Sequence, residues 1–192
     1  PFQSKKSSPL QGLVRVPGDK SISHRSLMFG ALAEGETIIS GLLEGEDVFN
    51  TAGAMRALGA QITKGDDGLW RCHGIGVGNL QEPAGFLDMG NSGTSTRLLT
   101  GIVGSHPITA FFTGDASLNK RPMGRVITPL EQMGVKFMSR HGGKPPFGVQ
   151  GTAEAQAITY RLPVASAQVK SAILLAGLNA HGTTTVIEPE PT

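Results

Sequence analysis

The sequence is poor in cysteine, aromatic residues and net charge, and each shortage excludes a class of protein. A single cysteine, Cys72, excludes an intrachain disulfide and a cysteine-rich metal site. Aromatic residues make up 5% of the chain, and the formal net charge of +2 is too small to favour nucleic acid as a partner. No apolar run is long enough to cross a bilayer, and the polar residues 1–9 lack the apolar stretch of a secretory signal. We therefore expect a cytoplasmic protein without metal, cofactor, nucleic acid or membrane.

Glycine, in contrast, is abundant. There are 27 glycines among 192 residues, and hydrophobic residues make up 39% of the chain. This composition is sufficient for a packed core and favours many tight turns and close backbone approaches.

Three segments share one pattern at nearly constant spacing. They read GDKSISHR at residues 18–25, GNSGTSTR at 90–97 and PVASAQVK at 163–170, and their closing cations are 72 and then 73 residues apart. Each segment opens with small or turn-forming residues and continues into an apolar helical periodicity, which is typical of a helix N-terminus. The alternative is a coincidence among turns rich in glycine and serine.

A second element also recurs. AMRALGAQI at residues 54–62 aligns with PLEQMGVKF at 129–137, where Gly59 and Gly134 are each predicted to end a helix. Short β-rich stretches lie at 37–43, 69–73, 108–113 and 183–187. The sequence thus predicts an α/β fold of repeated βαβαββ units, over about 18–82, 83–152 and 153–192 after an opening segment 1–17. The last unit is incomplete, which indicates a truncated chain because such units bury their faces against neighbours.

The three predicted helix starts are candidate anion sites, since free backbone N–H groups and the helix dipole attract phosphate and carboxylate. Each also carries groups that hydrogen-bond anions or leave them room. These are Lys20, Ser21 and Arg25; Gly93, Thr94 and Arg97; and Ser166 and Gln168, with Arg121 in a further basic cluster before another helix.

Each of these features alone has a more ordinary interpretation. A serine at a helix start is usually only a cap, and a lone arginine is usually solvated or paired. His24 is expected to be a packed or surface residue, Asp19 and Asp115 turn or cap residues, and Cys72 structural. Paired carboxylates, a hydrolase triad and metal-ligand spacing are all missing. The pattern therefore indicates binding sites without their acid/base chemistry.

Four motifs resemble a known family in its order. They are LVRVPGDKSISHRSL at residues 13–27, GNSGTSTR at 90–97, GDASLNKRPMGR at 114–125 and ASAQVKSAILLAG at 165–177. From about residue 10 onward, the chain is similar to 5-enolpyruvylshikimate-3-phosphate (EPSP) synthases of the bacterial class II branch. The resemblance implies transfer of the enolpyruvyl group of phosphoenolpyruvate (PEP) to the 5-hydroxyl of shikimate 3-phosphate. It also implies two domains of three βαβαββ units that close on substrate, with segment 1–17 partly in the other domain.

The resemblance further implies roles for individual residues. Lys20 would contact both substrates and is the catalytic candidate of this chain. The shikimate 3-phosphate site would comprise Lys20, Ser21, Arg25, Ser166, Ala167 and Gln168, with Ala167 contributing its backbone N–H. The PEP site, which the inhibitor glyphosate occupies in the family, would comprise Lys20, Gly93, Thr94 and Arg121, supported by Arg97. Some glyphosate-tolerant class II members carry alanine at the position of Gly93, so we expect this chain to lack that steric block.

Family members are about twice as long as this chain, and their acid/base residues lie in the absent half. We therefore expect no turnover from the chain alone and a complementary C-terminal fragment as its partner. Three alternatives remain open at this point. They are the sister transferase that acts on UDP-N-acetylglucosamine, a stand-alone anion-binding module, and a folding fragment without a separate role.

Overall fold

The computed structural model describes residues 2–191, so Pro1 and Thr192, the ends of the first and last predicted segments, lie outside the described residues. Within this range the chain forms a mixed α/β structure in which none of the helices is long and apolar enough to cross a membrane. The elements in chain order are α1 Lys20–Leu32, β1 Glu34–Ile39, α2 Glu46–Ala57, β2 Gln61–Lys64, β3 Trp70–Ile75, β4 Leu87–Asp88, α3 Gly93–Gly104, β5 Thr109–Thr113, a 3-10 helix Leu118–Lys120, α4 Gly124–Gln132, β6 Lys136–Arg140, β7 Lys144–Gln150, β8 Thr159–Arg161, α5 Ala167–Gly177 and β9 Thr185–Ile187.

The strands form three small sheets, ordered β1-β3-β2, β4-β5-β7-β6 and β8-β9. In the second sheet β4 runs parallel to β5, and the remaining pairs are antiparallel. The stretch from β4 to β7 has the order strand, helix, strand, helix, strand, strand. The first sheet has the same arrangement without an opening strand, and β8 and β9 flank α5 as a parallel pair.

The first predicted unit lacks the opening strand of the βαβαββ pattern, because residues 2–19 contain no strand. Leu13, Val14 and Val16 in this stretch are exposed. A strand forms only where a neighbour takes up its backbone hydrogen bonds, and within residues 2–191 no strand pairs with this segment. The prediction of a strand at 37–43 was also displaced: β1 occupies Glu34–Ile39, and Gly41, with φ of +68°, turns the chain away from the sheet.

Two predicted helix ends are confirmed. Gly59 and Gly134 follow the last residues of α2 and α4 with φ of +108° and +97°, a left-handed conformation that favours glycine.

The helices lie side by side with their N-terminal ends together. Lys20 and His24 of α1 contact Asp47 and Thr51 of α2 in the same order, at 2.8 Å each. The same holds for α3 and α5: Thr94 contacts Gln168, and further along, a Cβ on Gly101 would overlap the backbone oxygen of Ala172. In each pair, residue numbers increase in the same direction along both helices from one contact to the next, so the paired helices run parallel. Their positive dipole ends therefore face one side of the molecule.

Candidate functional site

The N-terminal ends of α1, α3 and α5 are capped by short side chains. The carboxylate of Asp19 accepts a hydrogen bond from the N–H of Ile22 at 2.8 Å, Ser92 accepts from Ser95 at 3.2 Å, and Ser166 accepts from Val169 at 3.4 Å. The prediction that Asp19 acts as a cap is confirmed. Asp115 likewise accepts from the N–H of Leu118, at 2.7 Å.

Acidic residues are missing where helices normally place them. In the described chain, α1, α3, α4 and α5 have no Asp or Glu in the first turn, whereas α2 has Glu46 and Asp47. Because a carboxylate in the first turn usually stabilises a helix, four N-termini leave that favourable position to another anion.

Three arginines line a cavity of about 600 Å³ at this end of the molecule. They are Arg97, Arg121 and Arg125, and Pro122, Gly124, Ser166, Gln168 and Val169 complete the lining. Burial, followed by the charges of Arg121 and Arg125, lowers the pKa of Arg97 from its ordinary value. Between residues 2 and 191 none of these arginines has a carboxylate within ion-pair distance. A hydrogen bond from Asn91 and, to a smaller extent, the charge of Arg121 lower the pKa of the nearby Asp115, but Arg121 forms no ion pair with it. The cavity therefore has an excess of positive charge that suits a small polyanion.

Neutral groups hold two of the arginines in place. Arg97 donates through Nη1 to Gly93 O at 3.1 Å and to Gln168 Oε1 at 2.9 Å. Arg121 donates through Nη2 to Asn91 Oδ1 at 2.6 Å and to Ser117 Oγ at 3.1 Å. Partners without charge fix the guanidinium groups and leave their charge available to a ligand.

The candidates on α1 lie at the same end of the helices but do not line this cavity. Lys20 forms an ion pair with Asp47 at 2.8 Å. Arg25 donates to Ser171 Oγ of α5 at 2.8 Å and to the backbone oxygen of Ser21 at 3.2 Å. The structure thus brings four of the predicted site residues together around the cavity: Arg97, Arg121, Ser166 and Gln168. Gly93, Thr94 and Ala167 lie on the adjoining helix ends. Lys20, Ser21 and Arg25 form a separate group on α1.

The sequence predicted no role for two residues that the structure places beside the cavity and beside Lys20, namely Arg125 and Asp47. Arg125 lies four residues after Arg121, a spacing that could have suggested a shared site. Asp47 is 27 residues from Lys20, and no local pattern connects them.

A buried polar network lies beneath the helix ends. His24 Nδ1 contacts Thr51 Oγ1 at 2.8 Å and Ser95 Oγ at 3.1 Å, and Ser95 contacts the cap Ser92 at 2.7 Å. Burial is the main cause that lowers the pKa of His24. The expectation that His24 is a packed residue is confirmed, and the network connects α1, α2 and α3.

The buried side chain of His106 makes the folded state less stable as the pH falls. Its Nδ1 donates to Ile102 O at 2.7 Å and its Nε2 accepts from Gly78 N at 2.9 Å, so the ring fits only in its neutral form. Burial accordingly lowers its pKa below the ordinary 6.5. The unfolded chain takes up a proton first as the pH falls below 6.5, so stability is complete above that value and decreases below it, by up to about 1.4 kcal/mol per pH unit.

We expect the thermal midpoint to fall less between pH 7.5 and 5.5 in His106→Gln than in the wild type. Differential scanning calorimetry at several pH values measures this difference. His141→Gln, at an exposed turn, is the matched control and should keep the wild-type slope. Equal slopes for His106→Gln and the wild type would contradict the assignment.

Cys72 is buried in β3, and burial raises the pKa of its thiol to about 11. The thiol therefore stays protonated at neutral pH and is not an accessible nucleophile. This agrees with the structural role expected for it.

Comparison with known proteins adds independent findings. A family model described as EPSP synthase (3-phosphoshikimate 1-carboxyvinyltransferase) matches residues 4–192. The chain is 64% identical over 192 residues to a 3-phosphoshikimate 1-carboxyvinyltransferase of Paramagnetospirillum magneticum, covering 100% of this chain and 43% of that protein. A protein of the same description from Novosphingobium aromaticivorans is 66% identical over 186 residues, covering 97% and 42%.

A solved structure shows the same fold. An EPSP synthase from Acinetobacter baumannii superimposes with a TM-score of 0.90 at 52% identity, covering 94% of this chain and 41% of that one. The chain thus spans less than half the length of the relatives it matches. Since the family model matches nearly every residue and the fold superimposes closely on a solved member, the chain belongs to the EPSP synthase family.

Proposed function

We propose that this chain provides the substrate-binding part of a cytoplasmic enzyme that transfers the enolpyruvyl group from PEP to the 5-hydroxyl of shikimate 3-phosphate. In this reaction the hydroxyl oxygen bonds to C2 of PEP, phosphate leaves that carbon, and the proton of the hydroxyl ends on the released phosphate. The observation that carries the proposal is the cavity at the N-terminal helix ends, with three arginines to which no carboxylate of residues 2–191 is paired. Both substrates are small and polyanionic, as this cavity requires.

The residues divide into two subsites under this proposal. Arg97, Arg121, Gly93 and Thr94 surround the PEP side, and Arg125 adds a further cation to the same cavity. Ser21, Arg25, Ser166, Ala167 and Gln168 form the shikimate 3-phosphate side. Lys20 serves both and must exchange its ion pair with Asp47 for a substrate anion.

A groove between α1 and α5 supports a C-terminal partner segment. Elsewhere α2 packs against α1 and α3, and α4 packs against α3 and α5. The groove between α1 and α5 has no such helix in residues 2–191, and Phe29 and Leu178 are 50% and 51% exposed there. The part that the relatives contain beyond this chain would cover this groove and provide the acid/base groups, so the chain alone would not turn over. The sister transferase typically uses a cysteine on a mobile loop, and the buried Cys72 counts against that alternative.

The test uses the completed enzyme, meaning this chain joined after Thr192 to the C-terminal part of the P. magneticum relative. Isothermal titration calorimetry compares shikimate 3-phosphate with shikimate, which lacks the phosphate. We expect at least about 100-fold tighter binding of the phosphorylated ligand, since charge-assisted hydrogen bonds contribute about 1.5–3 kcal/mol each. Equal affinity would contradict the proposal.

Gly93→Ala should make the completed enzyme tolerant of glyphosate. A Cβ at Gly93 would lie 2.7 Å from Nη1 of Arg97 and 3.1 Å from Nη1 of Arg121, so both guanidinium groups must shift. We expect the inhibition constant of glyphosate to rise by about tenfold or more, and the KM for PEP to rise less. Phosphate-release assays over a range of inhibitor concentrations measure both.

Gly53→Ala is the control for this substitution. Gly53 lies in α2 and does not line the cavity, and a Cβ there would meet no atom within 4 Å. Inhibition of this variant should match the wild type. A Gly93→Ala variant as sensitive as the wild type would contradict the predicted position of the PEP subsite.

A further inference from the structure

A second cavity adjoins the arginine cavity, between α4 and the segment that leads from β8 to α5. We call it the α4–β8 cavity. Its volume is about 290 Å³, and Arg125 lines both cavities. Thr128, Tyr160, Leu162 and Val164 line the α4–β8 cavity but not its neighbour. The cavity therefore places apolar side chains next to a cation, away from the residues that the proposed function uses for its two substrates.

Three polar side chains of the α4–β8 cavity have no partner in the described part of the chain. They are the guanidinium of Arg125 and the hydroxyls of Thr128 and Tyr160. An exposed arginine is often only solvated, but here the same cavity also contains Leu162 and Val164, and Val164 is 53% exposed. Apolar walls with a few unengaged polar groups are the usual composition of a small-molecule site.

The internal repeat provides a comparison for this cavity. In the preceding unit α2 and β4 take the places of α4 and β8, and a cavity of about 140 Å³ lies between them. By the alignment of residues 54–62 with 129–137, Asn50 takes the place of Arg125, and Asp88 lines the smaller cavity as well. That counterpart has a carboxylate and no cation. The volume and positive charge of the α4–β8 cavity are therefore not imposed by the repeated fold.

We propose that the α4–β8 cavity binds a small carboxylate with one apolar ring, whose carboxylate pairs with Arg125 while the ring packs against Leu162 and Val164. A guanidinium binds a carboxylate through two parallel hydrogen bonds. A phosphate would find more cations in the neighbouring arginine cavity, whereas one carboxylate matches the single cation here. The volume lies at the lower limit of ligand pockets, about 300–1,000 Å³, so it suits one ring rather than two.

Fluorine NMR titrations of the completed enzyme with 4-fluorobenzoate and 4-fluorobenzyl alcohol, which has the same ring without the charge, test this site. We expect 4-fluorobenzoate to bind with a dissociation constant on the order of 1 mM and the alcohol to bind at least about tenfold more weakly. In Arg125→Met this preference should disappear. Arg161→Met is the matched control, because Arg161 lies between Tyr160 and Leu162 but does not line the cavity. A wild type without the preference, or equal preferences in the two variants, would overturn the inference.

A pair of variants at Thr128 tests the location. Thr128 is exposed, lies three residues after Arg125 on α4 and does not line the arginine cavity. Thr128→Glu adds a carboxylate that competes for the guanidinium, so the affinity for 4-fluorobenzoate should fall by about tenfold or more. Thr128→Gln, of equal size and without charge, should lose less than about threefold. Unchanged affinity in both variants would place the probe in the arginine cavity, and equal losses would exclude the pairing with Arg125; either result would overturn the inference. Because the substrates are absent, these results do not depend on the proposed function.

Discussion

Replacing Gly101 by alanine is expected to destabilise the fold by at least about 3 kcal/mol. The added methyl would overlap the backbone oxygen of Ala172 and lie 2.8 Å from its carbonyl carbon. A backbone cannot rotate away as a side chain does, so α3 and α5 would have to separate and lose the packing of Leu98, Ile102 and Ile173. The thermal midpoint of the completed enzyme, followed by circular dichroism, should fall by about 6 °C or more.

Gly53→Ala is the matched control for this prediction. Gly53 also lies inside a helix, α2, but it is exposed and a Cβ there would meet no atom within 4 Å. Alanine restricts the unfolded chain more than glycine does, so this substitution should stabilise by about 0.5–1 kcal/mol. Similar midpoints for the two variants would show that the helices do not approach each other as described.

Removing Arg121 is expected to reduce kcat/KM for PEP by about 100-fold or more in the completed enzyme. Arg121 presents a guanidinium held by Asn91 and Ser117, and it lines a cavity from which carboxylate partners are absent in the described part of the chain. Loss of one preorganised donor to a developing anion reduces rates by about 10²–10³-fold. Arg121→Lys should recover only part of this loss, since an ammonium cannot make the same forked contact.

Arg56→Ala removes the same charge from a different place. Arg56 is in the last turn of α2, about 15 Å along the helix from the N-terminal ends, and it donates to Ile62 O at 2.7 Å. Steady-state kinetics of this variant should give a kcat/KM near that of the wild type. If Arg56→Ala and Arg121→Ala lost similar activity, net charge rather than the cavity would account for the effect.

Local sequence signals predicted the ends of the helices well. Glycines with positive φ, small capping residues and apolar periodicity act within a few residues, so Gly59, Gly134 and Asp19 could be assigned from their neighbours alone. The prediction of a strand before α1 was wrong for the opposite reason. A strand depends on a distant partner, and the repeat that predicted this strand does not show where it pairs.

The same distinction applies to the site. The cations could be found because each lies near a predicted helix start, but their partners could not. Gln168 is 71 residues from Arg97, and Lys20 is 27 residues from Asp47, so only the packing of parallel helices brings them together. The spacing of the repeat predicted equivalent positions, yet Lys170, aligned with Arg25 and Arg97, pairs with Glu188 and does not line the cavity.

The most direct test of the account is phosphate release from shikimate 3-phosphate and PEP, measured for this chain alone and after mixing with the separate C-terminal part of the P. magneticum relative. We predict no turnover from either part alone and phosphate release on mixing, because we propose that the binding residues lie on this chain and the acid/base groups on the other. Turnover by this chain alone would contradict that division. If neither the mixture nor the joined completed enzyme released phosphate, the proposed function would be contradicted.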